Sequence, residues 1–149
     1  MLLLHSLEVE NFRILRQVHL QFGRGLNILF GPNDLGKSSL AEALRAALLL
    51  PVASTASEAF VPWGTDQVPR VVVVVETGPT KWRISKEFGK GSRGKALLER
   101  CGERQQAWGE VNLSARDPIR RSLAERAVAR YGLLLHELTI GSRGNAAPE

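Results

Sequence analysis

Eight consecutive residues, Gly31-Pro32-Asn33-Asp34-Leu35-Gly36-Lys37-Ser38, place a lysine and a hydroxyl directly after the second of two glycines. The order is G-x-x-x-x-G-K-[ST], the Walker A pattern of a P-loop, in which backbone N–H groups turn inward around a phosphate. Gly36 permits close approach of the main chain, Lys37 supplies a point charge to the β and γ phosphates, and Ser38 can place its hydroxyl on Mg²⁺. Ser39 is in reach of the α phosphate. A glycine turn that merely capped a helix would leave Lys37 beside unsatisfied N–H groups without purpose.

Such a loop works only between a strand and a helix, and both are legible. Leu26 to Phe30 is a short, mostly apolar run of the kind found in a strand buried on both faces, and it ends at Gly31-Pro32. From Ser38, Leu40, Ala43, Leu44, Ala47 and Leu48 follow three-and-four spacing, and Pro51 is a natural stop. The positive end of that helix adds a favourable field at the phosphate position.

Upstream, Leu3 to Phe12 alternates imperfectly as a half-buried strand does, and Val18, Leu20 and Phe22 alternate with His19 and Gln21 before the turn Gly23-Arg24-Gly25. Downstream, residues 51–69 read as a surface loop with a short helix near Ser57 to Phe60. Val71 to Val75 and Lys81 to Phe88 form strands around Thr77-Gly78-Pro79-Thr80, a hairpin composition. Gly89 to Lys95 reads as a basic, glycine-rich loop. Asp117-Pro118 starts a helix that ends at Gly132, and Gly141 to Glu149 frays.

The expected architecture is therefore α/β: one P-loop lobe over 1–149, with a mixed sheet and an antiparallel β-subdomain. Strands, loop and helix occupy 1–60, the β-subdomain 61–95, and a helical region with a frayed tail 96–149. At 149 residues, 44% hydrophobic and 23% charged, one core is enough and wholesale disorder is excluded. A lone cysteine, Cys101, makes neither an internal disulfide nor a zinc cluster and suits a cytoplasmic, reducing setting. The start MLLLHS lacks a basic leader, and no apolar run approaches membrane-spanning length, so secretion and membrane insertion are not expected.

The net charge of +5 lies wholly downstream of residue 60. Lys81, Arg83, Lys86, Lys90, Arg93 and Lys95 face one acid, Glu87, with Trp82 and Phe88 interleaved. Such a stretch could contact DNA by phosphate pairing and base stacking, or be a solvated hairpin face with Trp82, Ile84 and Phe88 inward. His5, His19 and His136 are too scattered for a metal site. Magnesium-dependent hydrolysis also wants a carboxylate at the end of an apolar strand. Glu76 after Val71 to Val75, and Glu137 after Leu133 to Leu135, are near misses with a solvated-end reading beside the functional one.

Leu7-Glu8-Val9-Glu10-Asn11-Phe12-Arg13, then Leu20-Gln21-Phe22, then Leu26 to Leu40 through the P-loop, resemble the N-terminal head segment of the SMC, RecF and RecN group of ABC-type ATPases. The nuclease-partnered double-strand-break-repair ATPase and the OLD-family nucleases are part of that group. The resemblance is close over residues 3 to about 50. It implies ATP with Mg²⁺, a head that closes as a homodimer around two nucleotides, and engagement of DNA. It further implies that Arg13 approaches the phosphates with Asn33 nearby. The nucleotide set is then Arg13, Gly31, Asn33, Asp34, Leu35, Gly36, Lys37, Ser38 and Ser39, with Lys37 catalytic and Ser38 at the metal. Two departures stand out. Asp34 replaces the family's glycine, and the signature motif, the Asp-Glu strand and the glutamine loop are missing. The chain thus looks like half a head, completed by a C-terminal half on the same or a separate chain. A non-hydrolysing, ATP-gated module for a protein partner is the alternative, and a kinase-type phosphotransferase a third.

Overall fold

The computed structural model describes residues 2–52, 55–89, 94–101 and 108–110. Its centre is a six-stranded sheet in the order β2-β1-β3-β4-β5-β6. The strands are β1 (Leu2–Phe12), β2 (Leu15–Gln21), β3 (Arg70–Thr77), β4 (Thr80–Glu87), β5 (Lys95–Cys101) and β6 (Gly109–Glu110), with one helix, α1 (Lys37–Leu49). Every neighbouring pair of strands runs antiparallel.

Period-two alternation decides which face is covered. Leu7 and Val9 stand opposite Val73 and Val71, and Val73 and Val75 opposite Ile84 and Trp82. These side chains form the core with Leu40, Ala43, Ala46 and Ala47 of α1, so the helix lies across β1, β3 and β4. The opposite face carries Glu8, Glu10, Arg70, Arg83 and Glu99 in register. At one end of the core Phe12 stacks on Phe60 at 4.6 Å, and Phe88 meets both edge-on, at 6.5 and 5.3 Å. Phe60 comes from a 3-10 turn, Thr55–Phe60, close to the short helix read there.

The first two strands, the helix and the β3–β4 hairpin form where the sequence places them. Three expectations are corrected. Leu26 to Phe30 is not a strand: it is coil, with Leu26 and Phe30 each 89% exposed. A strand buried on both faces needs a neighbour on each side, and none of the described strands pairs with it. The sheet is accordingly antiparallel rather than mixed among the described residues. Residues 95–101 are strand β5, not the start of a helical region. Its pairing with β4 brings Leu98 opposite Ile84, a long-range contact that outweighs local propensity. The helix read from Asp117 and the tail lie outside the described residues.

The basic stretch is also redistributed. Lys86 shares the inward face with Trp82 and Ile84 and is only 8% exposed. Its Nζ donates to the carbonyl oxygens of Leu50 at 2.6 Å and Ala46 at 3.3 Å, so the ammonium closes the C-terminal end of α1. Arg83 donates through Nε and Nη2 to both carboxylate oxygens of Glu99, each at 2.5 Å, and lies over the Trp108 ring. Neither side chain is available as a free phosphate contact. Trp82 and Phe88 are buried, as the solvated-face reading has it. Lys90 and Arg93 lie outside the described residues.

Candidate functional site

The P-loop joins coil to the first turn of α1, and its backbone shape explains its residues. Gly36 is left-handed at φ 85° and caps the helix without a side-chain hydrogen bond. The N–H groups of the first turn, at Lys37, Ser38 and Ser39, therefore have no capping side chain as acceptor. A Cβ at Gly36 would stand 2.5 Å from Leu15 Cδ2 and 3.4 Å from Ile14 Cδ1, so glycine is required by space as well as by φ. Asp34 is also left-handed, at φ 68°. A glycine adopts that conformation at no steric cost, and aspartate is among the few other residues that tolerate it. Asp34 thus holds a glycine-like backbone conformation and adds a charge to the loop.

Lys37 opens the helix, and its Nζ donates to the carbonyl oxygens of Gly31, at 2.7 Å, and Pro32. The ammonium thus folds back over the carbonyls of its own loop. Gly31, Asn33, Asp34, Leu35 and Ser38 are exposed around it, whereas Ser39 is 7% exposed on the inward side of the helix. Upstream, Asn27 braces the approach: its side chain accepts from Gly23 N–H at 2.8 Å and donates to Gly23 and Gly25 oxygens at 3.0 Å. A helix N-terminus without a side-chain cap, a lysine folded over the loop and an exposed hydroxyl fit a polyphosphate with a divalent metal.

Arg13 is distant in sequence but close in space. It sits in the two-residue turn between β1 and β2, left-handed at φ 52°, its N–H donating to Phe60 oxygen at 2.7 Å. The same turn packs Ile14 and Leu15 on Gly36. The Arg13 guanidinium pairs with Glu42 of α1 at 2.6 Å. Glu42 escaped the sequence reading because on a helix wheel it is an ordinary surface acid. Lys86 was misread for the opposite reason: its charge masked a position that the 82, 84, 86, 88 alternation puts inside.

Of the two near-miss carboxylates, Glu76 is engaged by a histidine. A register shift in β1 between Leu4 and Ser6 turns His5 toward Glu76, and the ring nitrogen meets the carboxylate at 2.7 Å. That hydrogen bond holds the Glu76 carboxyl below its ordinary value. Glu137 lies outside the described residues. Among the described residues no group of three His, Cys, Asp or Glu side chains could hold a metal ion, and no helix is long and apolar enough to cross a membrane.

Residues 6–59, from β1 through the P-loop and α1, match the AAA domain family model. The chain is 27% identical over 103 residues to the DNA double-strand break repair Rad50 ATPase of Methanopyrus kandleri, 68% of this chain and 12% of that one. It is 30% identical over 128 residues to the DNA replication and repair protein RecF of Listeria welshimeri, 83% of this chain and 34% of that one. The chain therefore spans between about an eighth and a third of the length of these relatives. Among solved structures, the recombination mediator RecF bound to ATP is similar with a TM-score of 0.54 and 24% identity, over 66% of this chain and 27% of that one. A structure from work on ATP-driven dimerization and DNA-stimulated activation of SMC ATPases is similar with a TM-score of 0.50 and 14% identity, over 85% of this chain and 78% of that one. By sequence match, the chain is similar to the N-terminal segments of Rad50- and RecF-like repair proteins, and its fold is that of the RecF and SMC neighbours.

Proposed function

We propose that this chain is the ATP-binding half of an SMC/RecF-like head, one that hydrolyses ATP with Mg²⁺ once its C-terminal half is joined and that works on DNA in repair or chromosome maintenance. The observation that carries the reading is the loop Gly31–Ser38, with its left-handed glycine, its helix start lacking a side-chain cap and its overlying lysine, an arrangement suited to a polyphosphate. In it the amides of residues 33–38 hold the β phosphate, Lys37 balances charge on the β and γ phosphates, Ser38 offers its hydroxyl to Mg²⁺, and Arg13 approaches from the adjoining turn. Bound Mg²⁺ supplies charge neutralisation between phosphates; the chain's own part is binding and orientation.

The half-head reading rests on Leu26 to Phe30. An apolar run leading into a phosphate loop, exposed on both sides, has the character of a central strand whose neighbours belong to a further segment. With that segment in place the sheet becomes mixed. Closure of two such heads around nucleotide, giving a homodimer, follows the same family logic, and a cytoplasmic setting accords with it. For DNA, Lys81 and Lys95, which are exposed, remain candidates of the basic stretch together with Lys90 and Arg93.

The test is ATP turnover by the 149-residue chain, by the chain with its completing half, and by Lys37→Ala versions of each. Turnover only in the completed, unsubstituted head supports the reading; turnover by the chain alone refutes it. Binding without turnover in the completed head makes the protein an ATP-gated module for a protein partner instead. Replacing Lys90 and Arg93 is expected to lower DNA affinity and its salt slope.

A further inference from the structure

We infer that Glu42 is the positioning residue of the nucleotide site: it holds the Arg13 guanidinium beside the P-loop, so that an acidic side chain strengthens the binding of an anion. The inference rests on the nucleotide reading above and adds to it a residue that neither the motif nor the resemblance picks out.

The turn carrying Arg13 is fixed by three contacts, to the 3-10 turn, to Gly36 of the phosphate loop and to α1. Its backbone N–H is bonded to Phe60 oxygen, its neighbours Ile14 and Leu15 fill the space a Cβ would need at Gly36, and its side chain is tied to α1 through Glu42. Arg13 adopts a φ of 52°, uncommon for a long side chain, which aims it back toward the helix instead of outward along the hairpin. Glu42 lies within the same helix as Lys37 and Ser38, so the ion pair joins the hairpin tip to the element that presents the phosphate ligands.

The closest approach to Glu42 is through Nη1. An arginine carries five N–H donors in a planar fork, more than one carboxylate takes up, so the same guanidinium can pair with Glu42 and with a second, anionic partner. The Arg13 and Glu42 side chains are 37% and 28% exposed, open enough to receive a ligand. Electrostatics then gives opposite signs in two backgrounds. With Arg13 present, Glu42 is neutralised and its effect is orientation. Without Arg13 it is a bare carboxylate near a polyanion and repels it.

The experiment is a double-mutant cycle on the 149-residue chain with MgATP as the titrant in calorimetry, alongside thermal melts. Lys37→Ala is the control for the nucleotide reading itself. Glu42→Gln is expected to weaken MgATP binding about fivefold in the unsubstituted chain, in the range of contacting-pair couplings. In an Arg13→Ala background the same change is expected to leave binding unchanged or improve it. Glu42→Asp is expected to retain most of the affinity, and if Glu42→Gln fails to fold, the cycle is run with Glu42→Asp and Glu42→Ala. An equal effect of Glu42→Gln in both backgrounds, or improved binding in the unsubstituted chain, overturns the positioning role. MgATP binding that survives Lys37→Ala, or is absent from the unsubstituted chain, overturns the nucleotide reading and the positioning role with it.

Discussion

The ammonium of Lys37 donates to the carbonyl oxygen of Gly31 at 2.7 Å, folding the side chain back across the loop that precedes it. Lysine and loop therefore form one closed unit before any ligand arrives. A phosphate entering that unit exchanges two carbonyl acceptors for anionic oxygens, a stronger partner for the same donor.

Replacing Lys37 should therefore separate binding from stability. Lys37→Ala is expected to abolish calorimetric heat with MgATP while shifting the thermal midpoint by only a few degrees, since the bonds it loses are exposed and within one loop.

Gly36 behaves oppositely. Gly36→Ala puts a Cβ 2.5 Å from Leu15 Cδ2 at φ 85°, so both packing and backbone resist it. A loss of about 1–3 kcal/mol in urea unfolding is expected, together with loss of nucleotide binding.

At position 34 a gain is expected. Asp34→Gly relieves a left-handed aspartate at φ 68° and removes a carboxylate from the loop. MgATP affinity should rise and stability should not fall. Asp34→Asn, which removes the charge and keeps the backbone preference, should give the electrostatic part alone.

Lys86 is a structural cation. Lys86→Met leaves Leu50 oxygen without its 2.6 Å donor at the buried end of α1. About 1–2 kcal/mol of stability should be lost, seen as a lower urea midpoint at constant m. DNA affinity should not follow it.

Acid tests the two carboxylates. Hydrogen bonds from His5 and Arg83 hold Glu76 and Glu99 below their ordinary value of 4.5. A depressed carboxylate contributes stability above its unfolded pKa and loses it as pH falls through the folded one. The urea midpoint should accordingly be flat near neutrality and decline below about pH 4.5, and Glu99→Gln should make that decline shallower.

What the sequence disclosed was local. The P-loop, α1 and the β3–β4 hairpin carry their signals in adjacent residues: Gly36-Lys37-Ser38, the Leu40 to Leu48 periodicity, Gly78-Pro79. Long-range pairings stayed hidden. Nothing near Lys95 to Cys101 announces that Leu98 will lie opposite Ile84. The Arg13–Glu42 pair joins two surface-type residues through a turn whose closeness to Gly36 depends on the β1–β2 hairpin. Leu26 to Phe30 reads as a strand because its composition anticipates neighbours that the described sheet lacks. Lys86 was recoverable by trusting alternation over charge.

The uncovered stretch before the P-loop also bears on how the chain behaves when concentrated. With Leu26, Ile28 and Phe30 in water, each copy offers a greasy ribbon to every other copy nearby. Self-association that grows with concentration follows from that ribbon, and polar substitutions along it should suppress the clumping.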